Sequence, residues 1–240
     1  MPTAASVDVE FSIHVAAGGQ AAILDTVFSA SDGTSTQFET AEITPSEGSC
    51  LAVFIDVRQA SSLVTFGLLT HGAAGRTFGT GTAFPAALIA DLQGITTHAL
   101  YVLPDMAAAP ITLQMEVSSG STRSQVITVV EVVGALASQD GAWALNKGGA
   151  ANTSLALDLT TLNSNSVVIY HIAKDFADGE PVSITGATAL GSGDTGETSQ
   201  FNDLQFATAF EEVAAPGSAG ASASWTTGEN VIGSAIEIRR

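Results

Sequence analysis

The sequence predicts an all-β protein, a jelly-roll-like β-sandwich with two similar halves and little helix. Three observations support this prediction. Short runs rich in β-branched and aromatic residues recur along the chain, clusters of Gly, Ser, Thr, Asn and Asp separate them, and one apolar ending occurs twice. A chain of 240 residues is long enough for one large sandwich or two small ones, and its 24 glycines can supply the turns between strands.

The predicted strands follow one another along the whole chain. The first, "SVDVEFSIHV" at 6–15, alternates apolar and polar residues, which is typical of a half-buried strand. The others are "CLAVFIDV" at 50–57, "ALYVL" at 99–103, "ITLQMEV" at 111–117, "SVVIYHIA" at 166–173 and "SAIEI" at 234–238. The best helix candidate is "FPAALIADLQG" at 84–94, where we expect a turn or a short helix.

The repeated ending indicates two similar units. It reads "SQVITVVEVVGA" at 124–135 and "GENVIGSAIEIRR" at 228–240, and each copy holds one Glu inside an apolar run. Glu131 aligns with Glu237, 106 residues later, and Leu51 aligns with Val167, 116 residues later. Changes in loop length explain the difference between the two offsets, so we expect a duplicated β-unit rather than a solenoid of three or more repeats.

This comparison divides the chain into four segments. They are an N-terminal strand and anchoring segment at 1–34, a first sandwich half at 35–136, a linker at 137–151 and a second half at 152–240. Because sandwich edges expose unpaired N–H and C=O groups, residues 3–17 are expected to pair with another subunit or to anchor the protein.

Composition excludes several classes of protein. Seven Lys and Arg face 24 Asp and Glu, and a net charge of −17 repels nucleic acid. A hydrophobic fraction of 45% with 13% charged residues is the reverse of a disordered composition. No apolar run is long enough for a membrane helix, and residues 1–12 lack the features of a signal peptide. We therefore expect synthesis in a bacterial host cytoplasm, without membrane insertion.

The order of motifs resembles a family of β-sandwich proteins that occur on phage and gene-transfer particles and as secreted bacterial modules. In that family an apolar strand is followed by a strand-turn of the form "vTsVtyGG", a Pro-containing loop and a closing strand. Here "SLVTFGLLTHG" at 62–72 and "PVSITGATALG" at 181–191 stand at the strand-turn. The Pro-containing loops, together with the strands that follow them, lie at 102–117 and 213–226, although the first half keeps only Tyr101 of the family's Trp-Tyr pair.

The resemblance implies a virion component, since no export signal is expected. The implied function is that of a non-enzymatic structural protein of a tailed phage or gene-transfer particle, exposed on head or tail. Its partners would be other virion proteins, copies of itself in a homo-oligomer, and host-surface glycans. Two alternatives remain open: a carbohydrate-binding module without catalysis, and a glycoside-active enzyme.

One loop has the composition of a calcium site. The stretch "KDFADGEP" at 174–181 places Asp175, Asp178 and Glu180 within reach of one cation, and Asp194 and Glu197 could add ligands. The loop lacks the residue order of an EF-hand, so a solvated turn is the simpler interpretation. No other cofactor is expected.

The four histidines show no metal-ligand spacing and no catalytic motif surrounds them. For His14 and His171 we expect structural roles on the surface or in the core. For His71, which lies in a Gly-rich loop beside Arg76, a sugar- or carboxylate-binding role is the alternative to a structural one.

Aromatic residues and the single cysteine are assigned to packing. Trp225 lies in an alternating stretch and is expected in the core, whereas Trp143 is expected to plug the junction between the halves. Stacking of either tryptophan on a sugar ring is the alternative. Cys50 lies in an apolar run, so we expect it to be buried.

Overall fold

The computed structural model describes residues 21–30, 37–59, 65–78, 80–83, 87, 89–93, 96–117, 122–175, 182–195 and 204–240. All regular secondary structure in these residues is β-strand, which confirms the all-β prediction. The strands are β1 (Ala21–Ala30), β2 (Gln37–Glu39), β3 (Ser49–Gln59), β4 (Thr70–Gly72), β5 (Thr82–Ala83), β6 (Ile89–Gln93), β7 (Thr96–Met106), β8 (Thr112–Glu116), β9 (Thr122–Val132), β10 (Trp143–Thr160), β11 (Ser166–Asp175), β12 (Ile184–Thr185), β13 (Thr188–Asp194), β14 (Leu204–Val213) and β15 (Ser218–Arg239). None of the described residues forms a helix that could cross a bilayer.

The described strands form four antiparallel layers. Two inner sheets have the orders β1-β9-β3-β7-β6 and β10-β15-β11-β14-β13. The outer layer of the first half has the order β2-β8-β4-β5. In the second half, the far parts of the long strands β10 and β15 pair with each other over 154–160 and 218–224, and β12 adds to β15.

The long strands of the second half bend between the inner and outer layers. Register shifts separate Gly148, Asn152 and Ser154 in the β10–β15 ladder and mark the bend. A Cβ on Gly228 would lie only 2.8 Å from the backbone oxygen of Ala150, so the close approach of the two strands at the bend requires glycine.

Both faces of β3 are buried, which explains its nearly continuous apolar sequence. Odd-numbered residues at 51–57 face an outer core shared with β8, and even-numbered residues at 50–54 face the second inner sheet. Strand β11 does the same in the second half. We call the apolar cluster between the inner sheets the inter-sheet core; it comprises Ala21, Cys50, Ala52, Phe54, Leu100, Val130, Val132, Val167, Ile169, Leu190, Phe210, Ile236 and Ile238.

The two halves have the same strand order. In each inner sheet the first strand of the half (β1 or β10) pairs with the closing strand (β9 or β15). The closing strand pairs with a central strand (β3 or β11), and the central strand pairs with a later strand (β7 or β14). Glu131 lies opposite Leu51, and Glu237 lies opposite Val168. The counterpart of Leu51 is therefore Val168, and its alignment with Val167 is wrong by one residue, because Val167 faces the inter-sheet core. Descent of the halves from a duplication stays a prediction.

The inner sheets pack with an approximate twofold relation. Strand β3 packs on its counterpart β11. When the halves are exchanged, the contact of β9 with β14 corresponds to the contact of β15 with β7, and the contact of β1 with β13 corresponds to that of β10 with β6. Phe54 and His171 stand three residues after Leu51 and Val168 and are thus counterparts. Their rings stack with centroids 4.6 Å apart. Counterpart positions meet only on a twofold axis, so the axis passes between these two rings.

Several segments differ from expectation. Strand β1, placed by sequence in the anchoring segment, pairs with β9 in the first inner sheet. The predicted linker already contains the start of β10, which pairs with β15. Residues 89–93 form strand β6 rather than a helix, because pairing with β7 outweighs the helix propensity of Ala and Leu. Residues 3–17 lie outside the described part of the chain.

Candidate functional site

The layer between the inner sheets has a polar end. Along β3 the inward-facing residues change from apolar to charged at Asp56 and Arg58. The neighbouring strands change at the same level, with His98 on β7 and His171 on β11. Buried polar groups must satisfy one another here, because water does not reach them.

Asp56 lies at the centre of this polar end. Its Oδ1 is 2.7 Å from Nδ1 of His98, and its Oδ2 is 2.8 Å from Nε2 of His171. The second nitrogen of each ring lies 2.8 Å from a hydroxyl, that of Ser234 for His98 and that of Thr208 for His171. We call these five residues the clasp. It joins β3 and β7 of one half to β11, β14 and β15 of the other.

The hydrogen positions in the clasp follow from its chemistry. An ionised carboxylate only accepts hydrogen bonds, so the ring nitrogens that face Asp56 carry hydrogens and donate. The other nitrogen of each neutral ring then accepts a hydrogen bond from Ser234 or Thr208. Every donor and acceptor named in the clasp is matched when Asp56 is charged and both imidazoles are neutral.

The pKa values of Asp56 and His171 agree with this state. Burial disfavours the charged carboxylate of Asp56, but His98 and His171 outweigh it, through the charge that each ring carries when protonated and through the hydrogen bonds that they donate, and hold its pKa below the ordinary value. Burial likewise lowers the pKa of His171, and the opposing attraction of Asp56 does not restore it. The His171 ring stacks on Phe54, and the centroid of the Phe206 ring lies 6.3 Å from its own centroid.

Further polar pairs join the halves beside the clasp. Thr96 on β7 donates to Oδ1 of Asp175 on β11 at 2.6 Å, and Asn230 donates to the other carboxylate oxygen at 3.1 Å. Thr195 donates to Ser124 across the two sheets at 3.1 Å. At the β6/β10 edge, Lys147 and Asp91 form an ion pair of 2.9 Å. The polar end therefore holds the halves in one orientation.

The hydrogen bonds that join Ser234, His98 and Asp56 connect a hydroxyl, an imidazole and a carboxylate in the order found in a hydrolytic triad. All three residues are completely buried between the sheets. A substrate could reach the hydroxyl only if the sheets separated, so in the described arrangement these groups bind each other and the two sheets.

The Glu inside each closing strand anchors the turn before a central strand. Glu237 accepts from the backbone N–H groups of Ala142, Leu162 and Asn163 and from the hydroxyl of Ser166, at 2.9–3.0 Å. Burial opposes its ionisation, but these hydrogen bonds outweigh it and lower its pKa.

Glu131 performs the corresponding task in the first half. It accepts from the backbone N–H of Ser46, which precedes β3 by three residues. Ser46 and Asn163 both stand five residues before the counterpart pair Leu51 and Val168. The repeated Glu therefore has the same structural role in both halves.

The predicted calcium ligands are only partly described. Asp175 is buried, and both of its carboxylate oxygens accept the hydrogen bonds from Thr96 and Asn230. Asp178, Glu180 and Glu197 lie outside the described residues. Within the described part of the chain no three His, Cys, Asp or Glu side chains are grouped to hold a metal. The calcium site stays a prediction.

The other single residues take varied positions. Half-buried His71 has its pKa lowered by burial and by the charge of Arg76. The guanidinium of Arg76 donates to the hydroxyl of Thr112 at 2.6 Å and to the backbone oxygen of Thr70 at 3.0 Å, so it braces the β4–β8 sheet. His14 lies outside the described residues. His171 is buried and hydrogen-bonded, so of its two predicted structural roles, on the surface or in the core, the structure shows the core role.

The two tryptophans differ in burial. Trp225 is buried and its Nε1 donates to the backbone oxygen of Asn152 at 2.8 Å, which confirms its place in the core. Trp143 is 50% exposed at the start of β10, so the expectation that it plugs the junction is wrong. Among the described strands, β10 stands at the end of its sheet, and half of the Trp143 side chain is exposed there.

The single cysteine is fully buried, as predicted, and burial raises the pKa of its thiol to about 12. We expect Cys50 in the native protein to react with a disulfide reagent at pH 8 at least ~10³-fold more slowly than in the urea-unfolded chain. A stopped-flow thiol titration measures both rates. Comparable rates would contradict the buried position of Cys50.

A scan against models of protein families finds no family that matches the chain, and neither a curated protein nor a solved structure is significantly similar to it.

Proposed function

We propose that the protein is a non-enzymatic structural component of a virus-like particle, of the tailed-phage or gene-transfer type. One observation supports this proposal best: the reactive groups of the clasp face inward and join two sandwich halves. Two halves with their own outer cores, held in one orientation, make a shape-holding building block. The resemblance of the motif order to particle surface proteins supports the same function.

Features of the surface agree with assembly. Among the described strands, β10 and β13 stand at the ends of their sheet order, and another subunit can add a strand at such an edge. The net charge of −17 keeps free subunits soluble before they assemble. The proposed partners are copies of this chain and other particle proteins, with the virion as its location.

A sedimentation experiment tests the proposal. An antibody against the purified chain is used to follow it through a density gradient of material from the cells that produce it. We expect the chain to sediment with particles at a fixed ratio to the major particle protein, and immunogold labelling to place it on their surface. A chain found only in fractions of monomer size would overturn the proposal.

Binding of carbohydrate is a second candidate, and the exposed ring of Trp143 favours it. An indole on a flat sheet edge can stack on a sugar ring. A glycan array of the parent and the Trp143→Ala variant tests this function, with Leu162→Ala as a control because Leu162 is 63% exposed and not aromatic. Binding that is lost only in Trp143→Ala supports it, and the absence of any bound glycan rejects it.

A further inference from the structure

We propose that the clasp is an acid-sensitive latch, which closes the polar end of the layer between the inner sheets near neutral pH and lets that end open when it takes up protons. The apolar end, formed by the inter-sheet core, would stay closed and act as the hinge. This inference is independent of the proposed particle and concerns the chain itself.

The hydrogen-bond pattern is the first argument. The clasp is matched only for one distribution of hydrogens, in which Ser234 and Thr208 donate to neutral imidazoles. A proton added to His171 turns its accepting nitrogen into a donor, and the Thr208 hydroxyl must then rotate to accept. The hydroxyl hydrogen would need a new acceptor in a fully buried position, and an unmatched buried donor is costly.

Charge is the second argument. One added proton makes the group of Asp56, His98 and His171 neutral overall, and a second leaves a net positive charge between the sheets. The two imidazole rings lie parallel with centroids 6.0 Å apart, so two positive rings would repel each other at short range in a buried site. Opening to water relieves this repulsion.

Other charged groups facing the layer do not replace the histidines. Arg58 is inward on β3, Asp175 is inward on β11 and hydrogen-bonded, and Asp91 of β6 pairs with Lys147 of β10 at the rim. The described inward positions of β9, β14 and β15 at this level are uncharged; they are Ser124, Val126, Thr128, Phe206, Thr208, Asn230, Ile232 and Ser234. Among the described residues of this layer, His171 is therefore the group whose lowered pKa can couple opening to pH between 7.5 and 5.0.

The pKa of His171 sets the direction in which pH shifts the equilibrium between the closed and the open state. The pKa of His171 in the closed state is below its ordinary value, which is about 6.5 for a solvated imidazole. Below that pH the open state binds a proton that the closed state does not. Opening then becomes up to ~10-fold more favourable for each pH unit and each such proton.

Hydrogen–deuterium exchange of the full chain tests the latch. Protection factors, corrected for intrinsic exchange, are compared at pH 7.5 and pH 5.0 for the polar end (55–58 and 171–174) and for strand β8 in the outer core. We expect protection at the polar end to fall at least ~10-fold while protection of β8 changes less than ~3-fold. Equal protection of the polar end at both pH values would overturn the proposal.

Variants of the clasp histidines show whether the acid-induced loss of protection comes from their protonation or only from their packing. His98→Gln/His171→Gln keeps hydrogen-bonding groups but cannot titrate, so the acid-induced loss of protection should disappear. His71→Gln, which removes a histidine outside the clasp, should leave that loss unchanged. An equal acid response in the double variant would reject the latch. If the double variant does not fold, the comparison of polar end and β8 in the parent chain decides.

Discussion

Replacement of Asp56 by asparagine is expected to lower the free energy of unfolding by about 3 kcal/mol at neutral pH. The carboxylate accepts one hydrogen bond from each imidazole, and all three side chains are completely buried. An amide of the same shape offers only one oxygen, and its NH₂ group would face an N–H donor. Urea unfolding followed by far-UV circular dichroism measures the difference.

A matched control shows whether the effect belongs to the clasp. Asp140 also pairs with a cation, Arg239, at 2.7 Å, but its side chain is 68% exposed. Asp140→Asn should change stability by less than ~1 kcal/mol, because exposed ion pairs contribute little. Asp56→Asn with a similarly small effect would mean that the clasp does not hold the halves together.

The second large effect is expected at Glu237. Glu237→Gln should lower the free energy of unfolding by about 2–3 kcal/mol, because the amide cannot accept the four hydrogen bonds that both carboxylate oxygens now receive. The same change at Glu131, which accepts from Ser46, should cost about 1 kcal/mol or less.

The comparison of the two variants is a test in itself. Urea titrations at pH 7 on Glu237→Gln and Glu131→Gln compare the same chemical change at counterpart positions. Equal losses would contradict the assignment of stability to the number of hydrogen bonds that each Glu accepts. Because hydrogen bonding holds the pKa of Glu237 low, its contribution should also disappear as the pH falls below the ordinary value for Glu.

Local patterns predicted the fold class and most central strands. The apolar runs that contain Leu51, Tyr101 and Val168 are strands, because β-branched and aromatic residues suit a sheet that is buried on both faces. Burial on both faces also explains the one-residue error in aligning the halves. A strand without polar–apolar alternation does not reveal which side chain faces which core.

The clasp could not be predicted because it depends on packing between the halves. Asp56 and His171 are 115 residues apart, and only the contact of the two inner sheets joins them. A signal existed nevertheless: each is a polar residue within an otherwise apolar run. The edge position of Trp143 was equally hidden, since the start of β10 reads as a loop of small and polar residues.

The axis between Phe54 and His171 has one more consequence. Asp56 stands two residues after Phe54, and its counterpart in the other half is Ala173. Two identical subunits meeting in this way would confront each other with a pair of acids in the same buried space, and each would resist ionisation of the other. A single polypeptide with unlike halves avoids that conflict, and one acid serves a histidine from either side.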